Sequence, residues 1–276
     1  MPSLLDQVTR KLHPTSDSPA LDAQVLLAHI TEKQRSWVLA HPELSLSPKQ
    51  RIKLEAALQA LLQGIPLPYV LGHWEFYGLD FLVSPDVLIP RPETEELVEF
   101  GLGWLRDNKS RTVLEMGTGS GCIAIALAKN IPDLKLLAVD LSSAALDIAR
   151  QNAAIHWVDD QIQFIHSDLF SNLQPATFDL ITANLPYIPS ETLKTLDVYT
   201  REPSLALDGG KDGLQLIRRL LLDAPQWLAP DGLILLELDS SHVQAALKLA
   251  STIFPKSVIQ LKQDLAGRDR FLAVQT

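Results

Sequence analysis

The residues best suited to chemistry in this chain lie in short stretches that each follow an apolar run. In Leu114-Glu115-Met116-Gly117-Thr118-Gly119-Ser120-Gly121-Cys122, glycines occupy alternate positions directly after such a run. Glycines there permit a tight turn and allow a ligand to approach backbone N–H groups at a helix start. Asp140 closes the next apolar run, 19 residues beyond Gly121. A carboxylate at that strand end can accept both hydroxyls of a ribose. Position 122 is cysteine where the dinucleotide fingerprint needs a third spaced glycine, and no Gly-Lys-Ser/Thr follows, so hydride transfer on NAD and P-loop chemistry both fit poorly. The last stretch, Asp179-Leu180-Ile181-Thr182-Ala183, stops at Asn184, and Leu185-Pro186-Tyr187 follow at once. Asn and Pro are ordinary turn residues. Two readings therefore stand at this point: a plain turn, or a pocket that presents an amide oxygen and an aromatic ring.

The elements that must carry these residues alternate. After residue 110, "TVLEM" precedes the glycine loop and the apolar helix "CIAIALAKN". "KLLAVD" precedes "SSAALDIARQNAA", "IQFIHSD" precedes a loop, and "FDLITAN" precedes the corner. "GLQLIRRLLLDAPQWL", "GLILLELD" and a last helix come before "SVIQLKQD" and "RFLAVQT". Apolar strands interleaved with helices predict an α/β fold, a mostly parallel doubly wound sheet covered on both faces. The final pair, joined by the short Ala266-Gly267-Arg268 loop, predicts an antiparallel edge. Residues 188–212 contain Pro189, Pro203, Gly209 and Gly210 and have no clear period. They read as a substrate-side lid in preference to a plain connector.

The first 73 residues have a different period. "SPKQRIKLEAALQALLQG" predicts a helix capped by Ser47, opened by Pro48 and ended at Gly64, with Leu54, Leu58, Leu61 and Leu62 on one stripe. "WEFYGLDFLVSP" predicts a β-hairpin turning at Gly78, and "IPRPETEELVEF" predicts a helix with Glu95 and Glu96 against its positive end. The organisation expected is a helical docking domain over 1–73, a hairpin linker over 74–92 and a catalytic domain over 93–276.

Bulk properties narrow the function classes. The formal net charge of −9 and sequence pI of about 5.2 speak against a protein devoted to gripping phosphate backbones, so no direct nucleic-acid partner is expected. A single cysteine, Cys122, excludes a disulfide framework and a cysteine zinc site, and the seven histidines show no ligand spacing, so no metal is expected. No apolar stretch reaches membrane-spanning length and the N-terminus lacks a signal-peptide core, which predicts a cytoplasmic protein without a membrane partner.

Glu115-x-Gly117-x-Gly119-x-Gly121 together with Asp140 resembles the first motif of the class I S-adenosylmethionine-dependent methyltransferases. That resemblance implies S-adenosyl-L-methionine as cofactor and S-adenosyl-L-homocysteine as product. It places Gly117, Thr118, Gly119, Ser120, Gly121 and Asp140 around the cofactor, Asp168 at the adenine amino group, Leu169 against the ring, and Asn184 beside the methyl donor. Amino-methyltransferases of this fold carry an Asn/Asp-Pro-Pro-aromatic corner at the position of Asn184-Leu185-Pro186-Tyr187. The chemistry explains the need: a planar amide nitrogen is a poor nucleophile because its lone pair is delocalised. As it attacks a methyl it gains positive charge, which the Asn184 side-chain oxygen and the Leu185 backbone carbonyl would stabilise while Tyr187 stacks on the flat group.

"LDAQVLLAHI", "PLPYVLGHWEFYG", "IPRPETEELVE", "EPSLALDGGKDGL" and "DLAGRDR" together resemble the PrmC (HemK) family, the protein-(glutamine-N5) methyltransferases of peptide chain release factors. The likeness runs along almost the whole chain. It implies an N-terminal helical bundle joined by a hairpin to the catalytic domain. The substrate it implies is the glutamine of a Gly-Gly-Gln loop in class-1 release factors, bound at Asn184, Leu185, Pro186 and Tyr187, and the enzyme is expected to be a monomer. The family has proline where this chain has Leu185; leucine before Pro186 remains biased to extended backbone, so its carbonyl can point the same way. Three other readings remain. A sister glutamine methyltransferase of a large-subunit ribosomal protein differs at the stretch matching Arg91-Pro92-Glu93-Thr94-Glu95. An adenine-N6 DNA methyltransferase would need a basic target-recognition segment that this acidic chain lacks. A cofactor-binding assembly partner that no longer catalyses has only Leu185 in its favour.

Overall fold

The computed structural model describes residues 2–108 and 112–276. The chain divides into two compact units, Met1–His73 and Trp74–Thr276. The first is helical: α1 (Leu4–Leu12), α2 (Pro19–Thr31), α3 (Arg35–Ala40), α4 (Pro48–Leu62) and α5 (Leu67–Leu71). Ser47 and Gln50 form a reciprocal capping box ahead of α4, with Pro48 in its first turn, so the orphan N–H groups of that end are satisfied. Leu54, Leu58 and Leu61 are buried, together with Val8, Leu12, Leu26 and Leu27. Leu62 departs from the predicted stripe and is 46% exposed. Adjacent helical positions lie about 100° apart, and Leu61 takes the buried one.

The second unit opens with the hairpin β1 (His73–Phe76) and β2 (Leu79–Leu82). Tyr77 and Gly78 have φ of 53° and 71°, the two-residue turn that matches strand twist. The hairpin is built into this unit's core. Phe76 and Phe81 are buried there, and the side chain of Asn152 pairs with β2 like an extra strand. Asn152 Oδ1 accepts from Leu82 N–H at 2.7 Å, while its Nδ2 donates to the carbonyls of Leu82 at 3.0 Å and Ser120 at 2.9 Å. Glu95 and Glu96 also do more than face a helix dipole. Their carboxylates accept from the backbone N–H groups of Tyr77 and Leu265, each at 2.9 Å.

The remaining elements are α6 (Thr94–Asp107), β3 (Thr112–Met116), α7 (Cys122–Asn130), β4 (Lys135–Asp140), α8 (Ser143–Ile155), β5 (Ile162–His166), β6 (Phe178–Ala183), α9 (Ser190–Leu193), α10 (Gln215–Asp223), β7 (Leu228–Glu237), α11 (Val243–Ile253), β8 (Val258–Gln263) and β9 (Asp269–Gln275). The sheet has the order β5-β4-β3-β6-β7-β9-β8. Strands β3 to β7 pair in parallel, and β9 runs antiparallel to both its neighbours, which gives the predicted edge. Leu97, Leu102 and Ile125 of α6 and α7 pack on one face with Val113 and Leu180. Ile217, Leu220 and Ala246 of α10 and α11 pack on the other with Leu114 and Ile181. The winding reverses between β3 and β6, so the crevice at a topological switch point opens at their carboxyl ends. Met116 is in register with Ala183. Gly117 and Asn184 therefore leave the sheet side by side. Among the described residues no helix is long and apolar enough to cross a membrane.

Candidate active site

Gly117, Gly119 and Gly121 have φ of 72°, 56° and 83°, backbone that side-chain-bearing residues rarely adopt. The loop's N–H groups are spent differently from the expectation that they face a ligand. Those of Gly117 and Thr118 donate to the Val139 carbonyl at 2.8 and 3.0 Å, and that of Gly119 donates to Asp140 Oδ2 at 2.8 Å. Asp140 Oδ1 accepts from Ser142 N–H, also at 2.8 Å. The loop thus clamps the end of β4 and fixes the Asp140 carboxylate in one orientation. Burial raises the pKa of this carboxyl, and the backbone N–H groups that point at it act in the opposite sense. Each oxygen keeps a lone pair for a ligand hydroxyl.

The predicted residues separate into those that line the crevice and those behind it. Gly117, Gly119, Asp140, Asp168 and Leu169 line a cavity of about 250 Å³, together with Asn184, Leu185 and Pro186. Thr118, Ser120 and Gly121 do not line it. Thr118 Oγ1 donates to Glu115 Oε2 at 2.7 Å, and Gly121 lets α7 approach Ala149 of α8. Glu115 is buried, and its carboxyl pKa is raised to about 8 by desolvation. The Asp168 carboxylate forms an ion pair with Arg219 at 2.9 Å. The cavity wall also contains residues that sequence spacing did not single out: Val87 and Leu88 before α6, Leu141 after β4, and Leu205 and Ala206 within the 188–212 segment.

A second cavity, about 220 Å³, adjoins the first. Asn184, Leu185 and Pro186 line both, and Tyr187 and Arg91 line only the second. The corner is therefore a partition between two chambers. Asn184 Nδ2 donates to Thr94 Oγ1 at 3.0 Å, so the direction of this side-chain amide is set and its oxygen is not consumed by that bond. Leu185 is 4% exposed, and its Cδ2 lies 3.0 Å from where a Cβ on Gly117 would sit. The leucine side chain is packed across the glycine loop, a contact made possible by β3 and β6 being neighbours in the sheet. Desolvation pushes the Tyr187 hydroxyl up to about 12, so its ring meets the second chamber as a neutral aromatic surface.

The 188–212 segment forms a wall of both chambers. Its ends are fastened, with Ile188 N–H donating to the Leu207 carbonyl at 3.1 Å and Gly209 N–H to the Ile188 carbonyl at 2.8 Å. Glu202, with a side chain 5% exposed, accepts from Arg91 Nη2 at 2.5 Å and from Ile89 N–H at 3.1 Å. Arg91 and Glu202 are 111 residues apart in the chain.

A switch-point crevice with a glycine loop, an oriented carboxylate on the second parallel strand and an antiparallel edge defines a class I S-adenosylmethionine-dependent methyltransferase. Solved structures show the same fold. A methyltransferase from Pyrococcus furiosus matches with a TM-score of 0.53 at 20% identity, over 72% of this chain and 90% of its own. An S-adenosylmethionine-dependent methyltransferase from Agrobacterium tumefaciens matches with a TM-score of 0.51 at 15% identity, over 74% of this chain and 69% of its own. Residues 3–72 match the family described as PrmC N-terminal domain, and residues 99–201 that described as methyltransferase small domain. The release factor glutamine methyltransferase of Rhodopirellula baltica is 39% identical over 267 residues, 94% of this chain and 90% of that one. The enzyme of the same name from Moorella thermoacetica is 41% identical over 259 residues, 93% of this chain and 92% of that one. The chain belongs to the release factor glutamine methyltransferase family.

Proposed function

We propose that this enzyme transfers a methyl group from S-adenosyl-L-methionine to the side-chain amide nitrogen of the glutamine in the Gly-Gly-Gln loop of class-1 peptide chain release factors. The observation that carries this reading is the partition, with Asn184, Leu185 and Pro186 standing between two adjoining chambers. The larger chamber fits the cofactor. Its largely apolar walls take a flat base, the oriented Asp140 carboxylate takes ribose hydroxyls, and Gly119 leaves open space where a side chain would stand. When bound, the cofactor supplies an electrophilic methyl on a sulfonium. In the second chamber Tyr187 flanks the substrate carboxamide. The Asn184 side-chain oxygen and the Leu185 carbonyl accept its two N–H bonds, drawing the nitrogen out of amide planarity as it becomes cationic. The nitrogen loses its proton to solvent after transfer, so no general base is assigned.

The helical unit over 1–73 docks the protein substrate, and the enzyme acts as a cytoplasmic monomer without binding nucleic acid directly. The test is methyl incorporation into a release factor, a large-subunit ribosomal protein and DNA, offered separately and read by mass spectrometry of the acceptor. Mass gain on the Gly-Gly-Gln glutamine alone is expected. Incorporation into only the ribosomal protein or the DNA would overturn the substrate assignment.

A further inference from the structure

The Asn184 side chain works only if its oxygen, and not its NH₂ group, faces the substrate amide. A carboxamide is nearly symmetric in shape and can rotate by half a turn, placing two donors face to face. Something must break that symmetry. Thr94, at the start of α6, is 3% exposed, and its hydroxyl oxygen accepts from Asn184 Nδ2 at 3.0 Å. A hydroxyl has one proton. For its oxygen to hold the Asn184 NH₂ reliably, that proton must be committed elsewhere. Behind it, at the end of β7, stands Glu237, 1% exposed, whose charged form burial disfavours and a hydrogen bond from the Thr94 hydroxyl and the Arg270 charge favour in part. Its Oε2 atom is buried without a partner, a costly arrangement in a folded interior.

We infer that Thr94 and Glu237 are positioning residues for the methyl transfer: the Glu237 carboxylate holds the Thr94 proton, and Thr94 then holds the Asn184 NH₂, so the amide oxygen is presented to the substrate nitrogen. This inference rests on the methyltransferase reading of Asn184. The relay has a direction only while Glu237 is ionised. A protonated Glu237 can donate to Thr94, free the Thr94 hydroxyl to donate to Asn184 Oδ1, and turn the amide around. Burial raises the Glu237 carboxyl to about 7, within reach of ordinary assay conditions. The charged or titratable groups facing it are Arg270 of β9, Glu93 and Arg91 ahead of α6, Tyr187 beyond β6 and Cys122 of α7.

The experiment compares full-length wild type, Thr94→Val, Thr94→Ser, Glu237→Gln and Asn184→Ala, with release factor and S-adenosyl-L-methionine varied separately and kcat followed from pH 5.5 to 9. Thr94→Val keeps the shape and removes the hydroxyl. It is expected to lower kcat roughly tenfold to a hundredfold, the range seen when a partner that orients an active-site group is removed, with either KM changed less than about threefold. Thr94→Ser should recover kcat to within about threefold of wild type. Wild-type kcat should fall on the acid side with a midpoint near 7, and Glu237→Gln should lose that limb. A Thr94→Val enzyme with wild-type kcat, or a serine variant as slow as the valine one, would overturn the relay. So would an acid limb that is the same in wild type and Glu237→Gln, or absent from both. If Thr94→Val does not fold, the pH profiles decide. The Asn184→Ala arm separates two failures: slow Asn184→Ala with normal Thr94→Val refutes only the relay, whereas normal Asn184→Ala refutes the catalytic corner itself.

Discussion

The two sides of the crevice are held in place by different means. On the β3–β4 side, Asp140 is fixed by the N–H groups of Gly119 and Ser142, only 21 and 2 residues away in the chain. On the β6 side, Asn184 is oriented by Thr94, 90 residues earlier, and the wall over both chambers is held by Glu202 reaching 111 residues back to Arg91 and 113 back to Ile89. The proposed cofactor side is thus assembled from turns and strand ends, and the proposed substrate side from side chains that meet only after the unit has folded. A local assembly should tolerate change elsewhere in the chain. A long-range one should lose its geometry whenever any distant partner is altered.

The sharpest way to break this contrast is Asn184→Ala. Removing one acceptor aimed at developing charge is expected to cost turnover about a hundredfold to a thousandfold. Cofactor affinity measured by calorimetry should move far less; an equal loss in both would mean that the corner belongs to the cofactor side. Asp140→Ala is the mirror image. Charged hydrogen bonds are worth roughly 1.5 to 3 kcal/mol, so cofactor dissociation constants should rise about tenfold to a hundredfold, with turnover largely restored at saturating cofactor. Unchanged affinity would remove Asp140 from the ribose site. Glu202→Gln probes the long-range wall without touching either chamber's reactive groups. It keeps the volume and loses the charge opposite the half-exposed Arg91, so about a tenfold rise in KM for the release factor is expected, with cofactor binding intact. A wild-type KM would show that the wall stays in place without its ion pair.

The smallest effect on rate concerns Glu115, which lies behind the glycine loop. Its carboxyl titrates near 8 when folded, above its ordinary 4.5, because burial disfavours the charge. The folded protein therefore holds a proton that the unfolded chain has released. Stability from this group is complete below about 4.5 and is lost as pH rises through 8. Urea midpoints should accordingly fall between pH 5 and pH 8. Glu115→Gln should flatten that slope, leaving the part due to Glu237 and to Asp140, whose carboxyls burial also raises. A slope untouched by the substitution would assign it to other groups.

How much of this could be read from the chain follows the same division. The parallel sheet, its antiparallel edge, helix α7 and the strand-end positions of Gly117, Asp140 and Asn184 were legible because each is a local pattern of apolar residues broken by glycine, acid or asparagine. Thr94 stood in plain view within Arg91-Pro92-Glu93-Thr94-Glu95, but nothing in the spacing ties a helix-opening threonine to an asparagine 90 residues later. Glu202 and Glu237 were equally opaque, since an acidic residue in a polar loop or at a strand end is ordinarily a solvated one. Sequence alone shows Leu185 only as a leucine where the family has proline; its packing across Gly117 depends on β3 and β6 being neighbours. Leu62 falls on the exposed side because α4 buries a single stripe, Leu54, Leu58 and Leu61, and Leu62 lies one step around the helix from it.

Asn152 ties matters together in time as well as in space. One buried carboxamide closes three hydrogen bonds, two to the hairpin strand β2 and one to the Ser120 carbonyl of the glycine loop. Losing either partner would strand polar atoms of the fully buried Asn152 side chain, so hairpin and loop are expected to open together. Under conditions in which amide protons exchange with solvent, the Leu82 amide is therefore expected to report on the loop beside the proposed cofactor chamber, even though it lies on an element that lines no part of it.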